Sequence, residues 1–185
     1  MARIKGTAML NAVKVLRANF KQQARQLLPP ELHHYLDTRI LPSTWYPEEE
    51  NLAIIRVLAR LLQNVQGVGG DVYAFMGRFV AQADFTSFYS NLVRAGDVEE
   101  TLKRAQVAWR MYHDTGSFQV SVQGPGRARV ELNDYGAPSA EMCSLLRGFH
   151  EQMIAMAGAQ EVSSKETACR NRGDRTCVWE MRWKA

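Results

Sequence analysis

The stretch Gly116-Ser117-Phe118-Gln119-Val120-Ser121-Val122-Gln123-Gly124-Pro125-Gly126-Arg127-Ala128-Arg129-Val130-Glu131-Leu132 is where the chain changes period. Phe118, Val120 and Val122 alternate with polar residues. Gly124-Pro125-Gly126 then turns the chain, and Ala128, Val130 and Leu132 alternate on the way back. Alternation on both sides of a Gly-Pro-Gly turn is a β-hairpin. Downstream, Pro138-Ser139 starts a helix with Met142, Leu146, Phe149, Met153 and Met156 on one face, and Gly158 ends it. A strand ending near Cys169, a turn at Asn171-Arg172-Gly173-Asp174 and a strand carrying Cys177, Trp179, Met181 and Trp183 make a second hairpin. The second half therefore reads ββαββ.

Upstream the period is helical. Met9, Val13, Leu16 and Phe20 form one apolar stripe, with Lys14, Arg17, Lys21 and Arg25 beside it, and Pro29-Pro30 ends that helix. A short helical piece follows around 32–36. Pro47 and Glu48-Glu49-Glu50 open a helix whose buried face is Leu52, Ile55, Leu58 and Leu62; Gly67 to Gly70 stop it. Asp71 announces Val72, Phe75, Met76 and Phe79. Asp84 announces Phe85, Phe88, Tyr89 and Leu92. Asp97-Val98-Glu99-Glu100 announces Leu102, Ala105, Trp109 and Tyr112. The expectation is an α+β chain: a helical region over 1–90, serving packing or dimerisation, and a second domain over 91–185. The stripe on the first helix must be buried somewhere, and a homodimer is the expected solution.

At 185 residues, 46% hydrophobic and 23% charged, the chain has the composition of a globular protein rather than a disordered one. Its apolar runs are short, Leu52-Ala53-Ile54-Ile55 being typical, against the roughly 18 residues of a membrane span. Lys14, Arg17 and Lys21 break any signal-peptide core, so a cytoplasmic location is expected. Residues 1–30 carry six basic side chains and no acid, and the chain's net +4 leaves −2 for the rest. Nucleic acid is therefore not an expected partner of the whole surface. Gly67-Val68-Gly69-Gly70 lacks the Lys-Ser/Thr ending of a phosphate loop, and no Ser-His-Asp or Cys-His nucleophile set can be argued. Catalysis is not expected.

Cys143, Cys169 and Cys177, with Glu166, are the informative residues. From Cys143 to the helix end the chain rises about 21 Å. A returning strand to Cys169 covers roughly 26 Å, which brings it back level with Cys143. Positions 169 and 177 are symmetric about Gly173 and can face each other. Three thiolates at one point suit a closed tetrahedral zinc site; on spacing alone they also suit small buried side chains. His150 is about 10 Å along the helix from Cys143, too far for the same ion. Glu166 reaches only if the strand kinks before Cys169. An apolar pocket between sheet and helices would be lined by Tyr89, Phe118, Val120 and Phe149.

Cys143, 22 intervening residues, then Glu166-x2-Cys169-x7-Cys177 with Gly173-Asp174 in the turn resembles the 4-vinyl reductase-like ligand-binding domain. The pattern is similar to that of the sensory domains of aromatic-responsive transcription activators, where one Glu and three Cys hold zinc. The resemblance implies Cys143, Glu166, Cys169 and Cys177 as ligands of a structural zinc. The fold it implies is shared with TRAPP subunits and distantly with haem-based nitric oxide sensors. The polar ligand contacts of the aromatic sensors are not carried over, since Ser90 and Phe118 stand near those places, and the Tyr-x-Ser-x-Arg haem signature is absent. The full length, with Trp45-Tyr46-Pro47 and Tyr112-His113-Asp114-x-Gly116, resembles a myxobacterial paralogous family. The function expected is non-enzymatic: binding a small hydrophobic or aromatic molecule and signalling through a protein partner. A TRAPP-like tethering scaffold is the alternative, and a vinyl-reductase-type enzyme the third reading.

Overall fold

The computed structural model describes residues 1–87 and 89–184, with every side chain among them except that of Ala105; the expectations for Phe88 and the Ala105 side chain lie outside the described residues. The chain divides into two compact units, one of residues 1–72 with 112–114, the other of 73–111 with 115–185.

In the first unit, β1 (Arg3–Lys5) runs into α1 (Gly6–Asn19), α2 (Lys21–Leu27) and α3 (His34–Asp37); β2 (Trp45–Pro47) then leads into α4 (Glu48–Leu62). β1 and β2 pair antiparallel, Ile4 opposite Tyr46. Pro47 and three glutamates at the start of α4 complement its exposed amides and dipole, as the sequence suggests. The single helix expected up to Pro29 is two, because Phe20 leaves the helical region at φ −138°. Met9, Val13 and Leu16 are nonetheless fully buried, and α1 packs on α3 and α4 of the same unit. The stripe is covered from within, so the argument for a homodimer loses its basis. Three of the four basic side chains beside it are also engaged. Arg17 donates to the carbonyl of Tyr35 at 2.7 Å, while Lys21 and Arg25 hold Asp37 at 3.0 and 2.5 Å.

The second unit contains α5 (Val72–Phe85), α6 (Val98–Tyr112), β3 (Ser117–Val122), β4 (Arg127–Asn133), α7 (Ala140–Met156), β5 (Gln160–Ala168) and β6 (Cys177–Lys184). No new helix starts at Asp84. That residue is buried in the last turn of α5, and a short 3-10 turn follows at Ser90–Leu92. The four strands form one antiparallel sheet in the order β3-β4-β6-β5. Ala128, Val130 and Leu132 of β4 and Cys177, Trp179 and Met181 of β6 are buried. The register of the first hairpin places Phe118 opposite Leu132 and Val120 opposite Val130. Ser139 caps α7 by accepting from the Met142 amide at 3.1 Å.

Helices α5 and α7 cross at two glycines. A methyl group added at Gly148 would lie 1.9 Å from the Ala74 carbonyl oxygen, and one at Gly77 would lie 1.9 Å from that of Leu145. Phe85 against Phe149 (5.3 Å between ring centroids) and Arg78 with Glu151 (3.1 Å) flank the crossing. Among the described residues no helix is long and apolar enough to cross a membrane.

Candidate functional site

Two features of the second unit carry chemistry. The first is a thiol cluster. Cys143, on α7, has its sulfur 3.5 Å from both Cys169 and Cys177, and the three sulfurs lie within 4.8 Å of one another, all buried. Chain geometry explains the meeting. Helix α7 and strand β5 pack together, and a register shift between Glu166 and Ala168 breaks the alternation just before Cys169. The following turn is fixed locally: the Cys169 amide donates to Asp174 Oδ2 at 2.7 Å, and Gly173 takes φ +94°. The Arg170 amide donates to the Cys177 sulfur at 3.4 Å. Cys143 donates to Cys177 as well; this contact and burial push the Cys143 thiol far up. The same contact, with the Arg170 amide, favours the Cys177 thiolate against burial and brings it down to about 6.

Glu166 lies near enough to push the Cys143 and Cys169 thiols up, without joining the mutually close group of sulfurs. Its Oε2 accepts from Arg172 at 2.8 Å, and its buried Oε1 has no hydrogen-bond partner. The four expected ligands are thus brought to one neighbourhood, but only the three sulfurs form a mutually close group.

The second feature is a ring of aromatic side chains around His150. This imidazole, 1% exposed, lies 5.0 Å from the Phe118 ring, 5.8 Å from Trp179 and 6.1 Å from Phe149. Burial pulls its pKa down to about 4, so it is neutral at pH 7. His150 Nδ1 and Trp179 Nε1 are both buried without a hydrogen-bond partner. Each such group costs about 1–3 kcal/mol relative to a satisfied one, so two in ring contact are a conspicuous expense in a folded core. Trp109, by contrast, donates its indole N–H to the Thr115 carbonyl at 2.9 Å and packs edge-on against Phe118 at 4.7 Å.

Phe118 also lines a groove of about 320 Å³ together with Gln106, Val107, Arg110 and Met111 of α6. Val107 and Met111 are 53% and 40% exposed, so this wall presents apolar surface to solvent. Of the four residues expected to line a pocket, Phe118 borders this groove and Phe149 joins the same cluster through His150. Tyr89 stands half-buried at the head of the 3-10 turn, and Val120 is half-buried in mid-strand. The sequence does not announce His150 and Trp179 as a pair. Their only signal is a histidine on the apolar face of α7 and a tryptophan on the inward side of β6.

Solved structures sharing this fold along nearly the whole chain are H-NOX proteins. An Fe(II) unliganded H-NOX protein from K. algicida superposes with a TM-score of 0.67 at 11% identity, covering 98% of this chain and 97% of that one. An oxygen-binding H-NOX domain related to soluble guanylate cyclases gives 0.67 at 14%, covering 98% and 95%. A structure from work on haem distortion in the H-NOX family gives 0.71 at 14%, again covering 98% and 95%. Identities this low establish the fold. Among curated proteins none matches the sequence.

These neighbours overturn two expectations. The 4-vinyl reductase-like and TRAPP assignment is not supported, because the fold matched end to end is that of H-NOX. Zinc as the cofactor is withdrawn with it. The group named for proteins of this fold is haem. Haem in turn does not fit the described residues. His33 and His34 contact the backbone carbonyls of Leu28 and Glu31, and His113 pairs with Glu48 at 3.1 Å. His150 is walled in by rings, so a porphyrin against its Nδ1 would displace Phe118 or Trp179. Matched over residues 8–184 by the family's own sequence pattern, the chain belongs to the family described as "Protein of unknown function (DUF2378)".

Proposed function

We propose that the second unit is a non-enzymatic sensory module that binds a small hydrophobic or aromatic molecule and signals through a protein partner. The observation that carries this reading is the groove floored by Phe118. A cleft of about 320 Å³ that joins Phe118, Val107 and Met111 with the polar Gln106 and Arg110 is at the lower end of the range for small-molecule sites. Its Phe118 also contacts the His150 ring, so the groove borders the aromatic cluster. The oxygen-binding H-NOX domain of the same fold supports a ligand-binding role by analogy of architecture.

An apolar fluorescent dye, N-phenyl-1-naphthylamine, is expected to bind the wild type at one equivalent. Val107→Glu, on the groove wall, should weaken binding at least tenfold. Phe79→Glu, at a residue 52% exposed on α5, should leave it unchanged. Equal losses, or no uptake by the wild type, would show that the groove is not a ligand site.

The ligand set Cys143, Cys169, Cys177 and Glu166 is part of the same proposal as a site for a thiolate-preferring metal ion. The unpartnered Glu166 Oε1 supports it, since a buried carboxylate oxygen needs a donor or a cation. Elemental analysis of protein purified from cells should find one metal equivalent per chain. Cys177→Ser should remove it and lower the melting temperature. Metal-free wild type of undiminished stability would leave the cluster as three buried thiols.

A further inference from the structure

The two edges of the four-stranded sheet are built differently. β5, at one edge, breaks register between Gln160 and Ser163 and between Glu166 and Ala168, and it exposes Glu161 and Lys165. Irregularities and charges of that kind keep an edge from pairing with another chain. β3, at the other edge, has neither. Its residues Ser117–Val122 are uncharged, and its six pairs with β4 run without a break in register. The Gln123 amide donates to the Arg127 carbonyl at 3.0 Å, so by antiparallel alternation Ser117, Gln119 and Ser121 turn their backbone groups to β4. The N–H and C=O groups of Phe118, Val120 and Val122 point the other way, and no hydrogen bond from the described residues reaches them.

The surroundings of this edge define what it accepts. Phe118 shares the groove with Val107, Arg110 and Met111, so α6 stands on the face of β3 that carries Phe118, Val120 and Val122. Val107 and Met111 are exposed apolar surface, and the exposed Lys103 and Arg110 lie four residues before and three after Val107, on the same side of the helix. Neither cation has an ion-pair partner among the described residues, whereas Arg104 is taken up by Glu100 and the Asn91 carbonyl. An added strand satisfies both features, with main-chain bonds to the edge and alternate side chains in the groove. A second copy of β3 would bring another Lys103 and Arg110 to the same face, like charge against like. A segment carrying a carboxylate meets them with the opposite sign. We propose that the β3 edge docks an extended segment of a protein partner, added antiparallel as a fifth strand, with apolar side chains against Val107 and Met111 and a carboxylate on Arg110. This rests on the ligand-and-partner reading above and gives the partner its chemistry. The segment and a small molecule share Phe118, Val107 and Met111, so each excludes the other, and ligand binding is thereby passed to the partner.

The probe is the capped peptide Thr-Val-Thr-Glu-Thr-Val-Thr, titrated calorimetrically into the full chain. In an antiparallel fifth strand its Val and Glu side chains face α6 while their own N–H groups bond to β3. The peptide should bind the wild type and displace N-phenyl-1-naphthylamine. Replacing its Glu by Lys should weaken binding at least tenfold, and Arg110→Glu should reverse that preference. N-methylation of the Glu amide should weaken binding at least tenfold, whereas N-methylation of the adjacent Thr should not. Val120→Pro removes an outward N–H at an edge position where proline is tolerated, and it should act as the Glu N-methylation does. The two methylated peptides decide the point even if that variant fails to fold. Equal affinity of the Glu and Lys peptides, or of the two methylated ones, would overturn the proposal. So would a wild type that sediments as a dimer and becomes a monomer on Val120→Pro, which gives the edge to a second copy. Dye uptake without peptide binding would overturn this inference alone, and binding of neither would overturn the ligand-binding reading with it.

Discussion

Gly148→Ala is expected to destabilise the second unit by about 3 kcal/mol or more, and Gly77→Ala by a similar amount. The sign is informative because the two effects involved oppose each other. Replacing glycine by alanine within a helix normally gains about 1 kcal/mol of propensity. Here the added methyl group would meet a backbone carbonyl oxygen of the facing helix at 1.9 Å, which no rotamer change relieves. Helices α5 and α7 would have to separate, opening the contacts of Phe85 with Phe149 and of Arg78 with Glu151. For a chain of this size the loss corresponds to a fall in melting temperature of about 10 °C. Gly69→Ala is the control, since no atom lies within 4 Å of its added methyl group. It should change stability by no more than about 0.5 kcal/mol. A Gly148→Ala protein as stable as the wild type would mean that the two helices do not approach as closely as described.

That crossing marks the boundary of what the sequence discloses. The strand pairs Phe118–Leu132 and Val120–Val130 were legible because period two and the Gly-Pro-Gly turn are local signals. The meeting of three cysteines was legible for a related reason. The rise along α7 and the return along β5 nearly cancel, whatever the packing around them. Gly77 and Gly148 are only interruptions in two helical patterns until the helices are laid across each other. Phe20 illustrates the same limit. Ala18-Asn19-Phe20-Lys21 contains no proline or glycine, yet the chain turns there because α1 and α2 both contact α4. The reach of Glu166 depends on a kink that residue spacing does not disclose. A bulge does follow it, but Arg172 holds one carboxylate oxygen. Sequence spacing gives His150 only a distance from Cys143 along the helix. Its character comes from Phe118 on β3 and Trp179 on β6, which sequence spacing does not place beside it.

The histidine also gives the chain a pH dependence with a definite sign. Its folded pKa of about 4 lies below the unfolded value of 6.5, because burial penalises the charged ring. Between those values the unfolded chain binds a proton that the folded chain does not, so stability rises with pH across that window and is level above it. Acidification from pH 7 to pH 4 should therefore cost about 3 kcal/mol through this residue alone, at 1.36 kcal/mol per pKa unit. Asp37 and Asp114, held below the ordinary carboxylate range by Arg25 and Arg3 respectively, contribute lower on the scale, as pH falls below about 4. Their loss is separable from that of the histidine. The measurement is urea denaturation of wild type and His150→Phe at pH 7.0, 5.5 and 4.5. The variant should lose most of the wild type's decline over that interval, whatever its stability at pH 7. A decline of equal slope in the two proteins would show that the acid sensitivity arises elsewhere and that His150 is not held neutral by its surroundings.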